Sequence, residues 1–142
     1  MVIEQPLYLK LAWGELDVAE VSGPADNPRI VAYHDTTQGG GDVHDEVSWC
    51  SSFINAMVTR AGLVGTNSKA AISWMNWGEP CQLEYGCIAV SWRFIPDDWR
   101  SHVTIVVGYD ADHYFGLGGN QSNRVRVSRY PLNKLRGYRR AA

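Results

Sequence analysis

The spacing of apolar residues changes partway along the chain. Between Trp49 and Ala61, Phe53, Ile54, Met57, Val58 and Ala61 recur at intervals of three and four. Ser52, Asn55, Thr59 and Arg60 fall on the other side, so the pattern predicts an amphipathic helix with that polar side facing away from the core. Gly62 follows where a left-handed cap is expected. Ser48 is the natural N-cap, which puts Cys50 in the first turn. Leu7 to Leu16 reads as an earlier helix, broken by Ser22-Gly23-Pro24. Asp26-Asn27-Pro28 reads as a cap followed by proline at the first helical position, leading into Ile30, Val31 and Tyr33. A shorter helix is expected from about Ser68 to Trp77, ending at Gly78, and His34 to Ser48 reads as an irregular loop around Gly39-Gly40-Gly41.

After that the period falls to two. Cys87 to Trp92, His102 to Val107, Tyr114 to Leu117 and Val125 to Val127 read as strands. Tyr109 to Asp112 is a hairpin turn, and Asn120 to Asn123 is a second connection. Helices first and strands after predict an α+β fold, with N-terminal helices packed on a C-terminal antiparallel β-sheet.

Composition adds bounds. The chain has 142 residues, and about 100–200 residues typically make one domain, so residues 1–142 read as a single domain. Hydrophobic content of 45% and charged content of 20% are those of a globular chain rather than a disordered one. No apolar run approaches the ~18 residues a membrane span needs. Met1 to Lys10 lacks the basic start and apolar stretch of a secretory signal, so the expectation is a soluble protein made in the cytoplasm. The net charge of −2 hides an asymmetry: all 15 acids precede Gln121, while seven of the 13 Lys and Arg residues follow it. A basic end of this kind attracts polyanions or balances an acidic body, and no nucleic-acid-binding motif accompanies it. Three cysteines cannot form a fully paired secreted scaffold. Cys81 and Cys87 are spaced neither as CxxC nor as a zinc pair and are expected as two reduced thiols, which leaves Cys50 to be explained.

A cysteine at a helix N-terminus meets unpaired backbone N–H groups and the positive end of the helix dipole, and both favour a thiolate. His102 begins the first strand of a hairpin and Asn120 follows its second strand, so an antiparallel turn near Asp110 returns Asn120 to the side of His102. Thiol, imidazole and a polar orienter make a nucleophilic triad. On spacing alone, a small core cysteine on an apolar helix explains Cys50 equally well.

The segment Asp45-Glu46-Val47-Ser48-Trp49-Cys50-Ser51-Ser52-Phe53-Ile54-Asn55 resembles the nucleophile helix of CHAP and NlpC-type peptidoglycan hydrolases. It is most similar to a small phage-associated branch that reads D-E-V-x-W-C-x-x-F-V-N. Glu20 to Gly23, Asn27 to Tyr33, Ala61 to Thr66, Ser73 to Gly78, His102-Val103 and Leu117 to Gln121 extend the likeness over nearly the whole chain. The resemblance implies a papain-like fold and cleavage of a peptidoglycan amide, either within the stem peptide or at the N-acetylmuramoyl-L-alanine bond. It assigns the catalytic cysteine to Cys50, the histidine to His102 and the polar third residue to Asn120. Ser101 stands where related domains have glycine before the histidine, and Cys87 where they often have an acid.

The chemistry needs no cofactor and no metal. His34, Asp35, Asp42, His44, Asp45 and Glu46 crowd the loop before Cys50, and oxygen-rich loops can hold calcium. Without EF-hand spacing, a solvated acidic loop shaping the cleft is the expectation. Trp74, Trp77, Trp92 and Trp99 could line a sugar-stacking groove, though core packing accounts for most tryptophans. The expected partners are peptidoglycan and a delivery system such as a holin or secretion machinery, or an immunity protein, with no nucleic acid and no membrane span. The protein is expected to be monomeric and to act in the periplasm or cell wall after delivery. The competing readings are a catalytically silent wall-binding module and a basic-tailed polyanion-binding domain.

Overall fold

The computed structural model describes residues 5–21, 26–38, 40 and 48–142. Among the described residues three helices precede the strands: α1 (Leu7–Trp13), α2 (Pro28–His34) and α3 (Cys50–Arg60), followed by a 3₁₀ helix over Ala71–Asn76. Six strands follow: β1 (Glu79–Pro80), β2 (Ile88–Trp92), β3 (Ser101–Tyr109), β4 (His113–Gln121), β5 (Arg124–Pro131) and β6 (Leu135–Arg140). They form one antiparallel sheet in the order β1-β6-β2-β3-β4-β5, so the architecture is α+β. No helix among the described residues is long and apolar enough to cross a membrane.

α2 starts as its sequence predicts. Asn27 Oδ1 accepts from the Arg29 main-chain N–H at 2.9 Å, and Pro28 occupies the first helical position, where a missing N–H costs nothing. α3 starts differently from expectation. Its N-cap is Trp49, which makes no side-chain cap; Ser48 lies one residue outside. The reason is tertiary. The Trp49 indole N–H donates to Glu20 Oε1 at 2.8 Å, and its ring stacks on Tyr33 with centroids 6.0 Å apart. Anchoring of that ring, rather than a serine cap, sets where the helix begins.

The polar side of α3 also departs from expectation, because Ser52 and Asn55 are fully buried. The Asn55 side chain accepts from the main-chain N–H groups of Thr66 and Asn67 at 2.8 and 3.1 Å and donates to Ser68 O at 3.1 Å. Buried amides need such partners, and here they pin the 63–70 segment onto the helix. Ser52 Oγ lies 2.7 Å from His34 Nδ1, which ties α3 to α2. The expected helix from Ser68 to Trp77 is a 3₁₀ helix of six residues held by Trp74, whose indole N–H donates to Ser51 Oγ at 2.9 Å.

The inner face of the sheet and the helices share one core, with Leu9, Ile30, Trp49, Phe53, Ile54, Met57, Val103, Ile105 and Leu117 at its centre. α3 lies directly on β4. A Cβ at Gly119 would come within 2.6 Å of the Trp49 ring and 2.8 Å of Phe53 Cβ, so glycine is required for that approach. Two strands escaped sequence reading, β1 and β6. The arginine-rich end is not a free tail: β6 is an inner strand between β1 and β2. Arg136 donates to Pro96 O at 2.9 Å and to Asp98 O, and Arg139 to Trp77 O at 2.7 Å, so main-chain carbonyls absorb much of the charge. The expected break at Ser22-Gly23-Pro24 lies outside the described residues.

Candidate active site

Close packing of α3 on β4 carries Cys50, the first residue of the helix, to the end of the sheet where β3 begins with Ser101 and His102. The first helical hydrogen bond runs from Phe53 N–H to Trp49 O at 2.9 Å, so the Cys50 N–H has no intrahelical acceptor. Cys50 is 2% exposed. Burial pushes its pKa up, but the His102 charge and hydrogen bond, the Val103 main-chain N–H and the Arg93 charge outweigh burial and leave it below the ordinary thiol range. Cys50 and His102 are therefore brought together, one from a helix and one from the sheet.

Asn120 does not join them. Its side chain donates to Ser48 Oγ at 3.3 Å, while Gln121 Oε1 sits 3.2 Å from His102 Nε2. The cause is a β-bulge. Gly118 pairs with Arg126 and Gln121 with Arg124, so three steps along β4 match two along β5. Asn120 absorbs the extra residue in a left-handed conformation with φ 60°. Asparagine tolerates that region better than most residues. The bulge reverses the side-chain alternation, and Gln121 rather than Asn120 turns toward the imidazole.

The Gln121 amide is fixed in orientation. Its Nε2 donates to the carbonyls of Gly118 at 3.2 Å, Gly116 at 3.3 Å and Arg126. Three carbonyls around one end identify that end as the NH₂ group, so Oε1 must face the ring. An amide oxygen only accepts, so His102 Nε2 carries the proton and Nδ1 is the nitrogen left for the thiol. Tyr130 OH also donates to Gln121 Oε1, and the Tyr130 ring lies beside the imidazole with centroids 5.4 Å apart. Tyr114 stacks on Tyr130 in turn. The ring of His102 is thus held from one edge and one side.

Two concavities flank the pair. One, of about 410 Å³, is lined by Ser48, Cys50, Lys69, Arg93, Trp99 and Arg100 among others. The other, of about 250 Å³, is lined by Ser91, Trp92, Arg93, His102, Tyr130 and Lys134 among others. Ser101 Oγ donates to Trp99 O and accepts from Arg136 Nε, both at 2.9 Å. That bond and the Arg136 contacts hold the 93–100 loop at the rim. Of the four tryptophans singled out in the sequence, Trp74 and Trp77 belong to the core, and Trp92 and Trp99 line the concavities.

Sequence reasoning placed Asn120 ahead of Gln121 and missed Tyr130, Arg93 and the Val103 N–H. The one readable signal was the Gly118-Gly119-Asn120 run, since glycine and asparagine within a strand mark bulges. Among the described residues no group of three His, Cys, Asp or Glu could hold a metal ion. Asp42, His44, Asp45 and Glu46, the core of the loop expected to be solvated and acidic, lie outside the described residues. Compared with known proteins, the chain matches no family model and no curated protein.

Proposed function

We propose that this chain is a papain-like cysteine hydrolase that cuts an amide bond of peptidoglycan. The observation that carries the chemistry is the thiol of Cys50 held at a helix start against His102, whose far nitrogen is bonded to Gln121. The substrate class rests on the resemblance of the Asp45 to Asn55 segment and the later blocks to the CHAP and NlpC-type hydrolases.

In this mechanism the Cys50 thiolate attacks the amide carbonyl carbon while the proton it has given up resides on His102 Nδ1. The Cys50 main-chain N–H, unused by the helix, donates to the oxyanion of the tetrahedral intermediate, where such a bond is worth most. His102 then passes its proton to the leaving nitrogen, the C–N bond breaks and an acyl-thioester remains. Water, deprotonated by His102, attacks the thioester, releasing the carboxylate product and restoring the thiol–imidazole pair. Gln121 keeps Nε2 protonated throughout, and so keeps Nδ1 available. It takes the orienting role that the sequence alone assigned to Asn120.

Digestion of purified peptidoglycan, read by mass spectrometry of the released fragments, tests this. The active chain is expected to generate one new amine and one new carboxylate per cut, with the fragment masses identifying the bond. Cys50→Ala and Cys50→Ser should lower the rate by at least about a thousandfold, as loss of a nucleophile does. Undiminished digestion by a folded Cys50→Ala protein would overturn the proposal.

A further inference from the structure

Among the described residues, those lining the two concavities around Cys50 carry positive charge and no carboxylate. Lys69, Arg93 and Arg100 line the larger concavity, and Arg93 and Lys134 line the smaller. These cations are not equally available. Lys69 Nζ donates to Gln38 O at 2.8 Å, and Lys134 lies over the Trp92 ring, 5.0 Å from its centroid. Arg100 is held by Asp98 through contacts of 2.5 Å from Nη2 and 3.0 Å from Nε. Arg93 lies over the Phe94 ring, 5.4 Å from its centroid, but it is exposed, pairs with no carboxylate among the described residues, and alone lines both concavities. Its backbone is fixed, because its N–H donates to Arg100 O at 3.2 Å and closes the base of the 93–100 loop. A guanidinium so placed presents a planar fork of donors beside the reacting thiol, the geometry that matches a carboxylate.

We infer that this cleft selects amide substrates carrying a free carboxylate near the scissile bond, and that Arg93 is the specificity-determining group that pairs with it. The inference deepens the hydrolase reading and rests on it for the nature of the substrate. Peptidoglycan stem peptides fit, since acidic residues beside their amides bear carboxylates that can also occur capped as carboxamides. A carboxylate bound between the concavities meets Arg93 from either side of the cut. The capped form keeps the shape and loses the charge.

Two measurements on the full chain separate the inference from the reading beneath it. The first compares alkylation of Cys50 by iodoacetate and by its neutral analogue iodoacetamide, quantified by peptide mass spectrometry. Both reagents attack the same thiolate, so a changed thiol pKa cancels in the ratio and only attraction for the anion remains. Arg93→Gln should lower the iodoacetate-to-iodoacetamide ratio about threefold to fivefold, the range of a solvent-accessible ion pair, and Arg93→Lys should retain most of it. Added salt should lower the wild-type ratio too. The second compares kcat/KM on a stem peptide in its carboxylate and carboxamide forms. Wild type should prefer the carboxylate about tenfold or more, mainly through KM, as expected for a charge-assisted bond, and Arg93→Gln should erase most of that preference. An alkylation ratio unchanged by Arg93→Gln overturns the inference whether or not the wall is cut. The expected alkylation ratios with neither peptide cleaved keep the anion site and overturn the hydrolase reading. Cleavage without preference for the carboxylate keeps the hydrolase and overturns the assignment of substrate.

Discussion

Cys50 and Cys87 are both small, buried thiols beside the central sheet, with exposures of 2% and 1%. Burial pushes both up, yet they end on opposite sides of the ordinary range. At Cys87 burial outweighs the main-chain hydrogen bond at Glu84 that opposes it, the neighbouring Cys81 thiol and Glu84 carboxylate further disfavour a negative charge, and the thiol is pushed up to about 12. At Cys50 the surroundings are His102, the Val103 N–H and Arg93, and they reverse the effect of burial. Depth therefore decides how strongly a thiol feels its neighbours, and the sign of those neighbours decides what it becomes. Cys87 is core and keeps its proton; Cys50 is held in surroundings that favour its thiolate.

Removing the imidazole is the largest perturbation of that contrast. His102→Ala should lower peptidoglycan cleavage by about a thousandfold or more, the scale of losing a triad member. It should also raise the Cys50 thiol toward the Cys87 condition, so that iodoacetamide labelling of Cys50 in mildly acidic buffer falls sharply. Unchanged labelling would mean that His102 does not hold the thiolate.

Loss of the orienting amide should cost less. Gln121→Ala leaves the partly buried His102 Nε2–H without its acceptor, and an unsatisfied partner of this kind costs roughly 1–3 kcal/mol, or about fivefold to 150-fold in rate. Asn120→Ala, whose side chain reaches Ser48 and not the ring, should stay within about threefold. Equal losses in the two variants, measured as kcat/KM, would contradict the division of labour set by the bulge.

In the unmodified chain the contrast should appear as an order of reaction. At about pH 6.5, below the ordinary thiol value of about 8.5, iodoacetamide should label Cys50 well ahead of Cys81 and Cys87. Raising the pH should narrow the gap for the partly exposed Cys81, whose pKa burial and Glu84 also raise. Peptide mapping after short exposures reads this directly.

The smallest expected effect lies in alkaline stability. Between the ordinary thiol range and about 12, folded Cys87 keeps a proton that the unfolded chain has released, so its contribution falls as pH rises through that window. Cys50 behaves oppositely: its lowered value contributes stability that is present above the unfolded thiol pKa and lost as pH falls through the folded one. Cys87→Ala should therefore show a shallower decline in chemical-denaturation stability between about pH 9 and pH 11. A slope identical to wild type would place the alkaline loss on the buried tyrosines instead.

How much of this was readable varies with the kind of constraint. The helix start near Cys50 and the strand start at His102 follow from apolar spacing, because an element's period ends where its neighbours change. β6 was unreadable, since Leu135-Arg136-Gly137-Tyr138-Arg139-Arg140 carries its charges where a strand's alternation would be sought, and only distant carbonyls explain them. Asn55 looked solvent-facing because nothing in a single sequence shows that residues 66–68 fold back to satisfy its amide.

By itself the sequence determined the order of helices and strands, the N-terminal capping of α2, the position of Cys50 in a first helical turn and that of His102 at a strand's beginning. Each follows from local rules: side-chain periodicity, backbone preference and the unpaired groups at helix ends. The tertiary structure decided the rest. It set the start of α3 by anchoring Trp49, shifted the contact with His102 from Asn120 to Gln121 by one residue of bulge, and lowered the pKa of one buried cysteine while raising that of another. Those outcomes depend on which groups from distant segments meet at a few ångströms, and hydrogen bonding and charge at that range act through space and not along the chain.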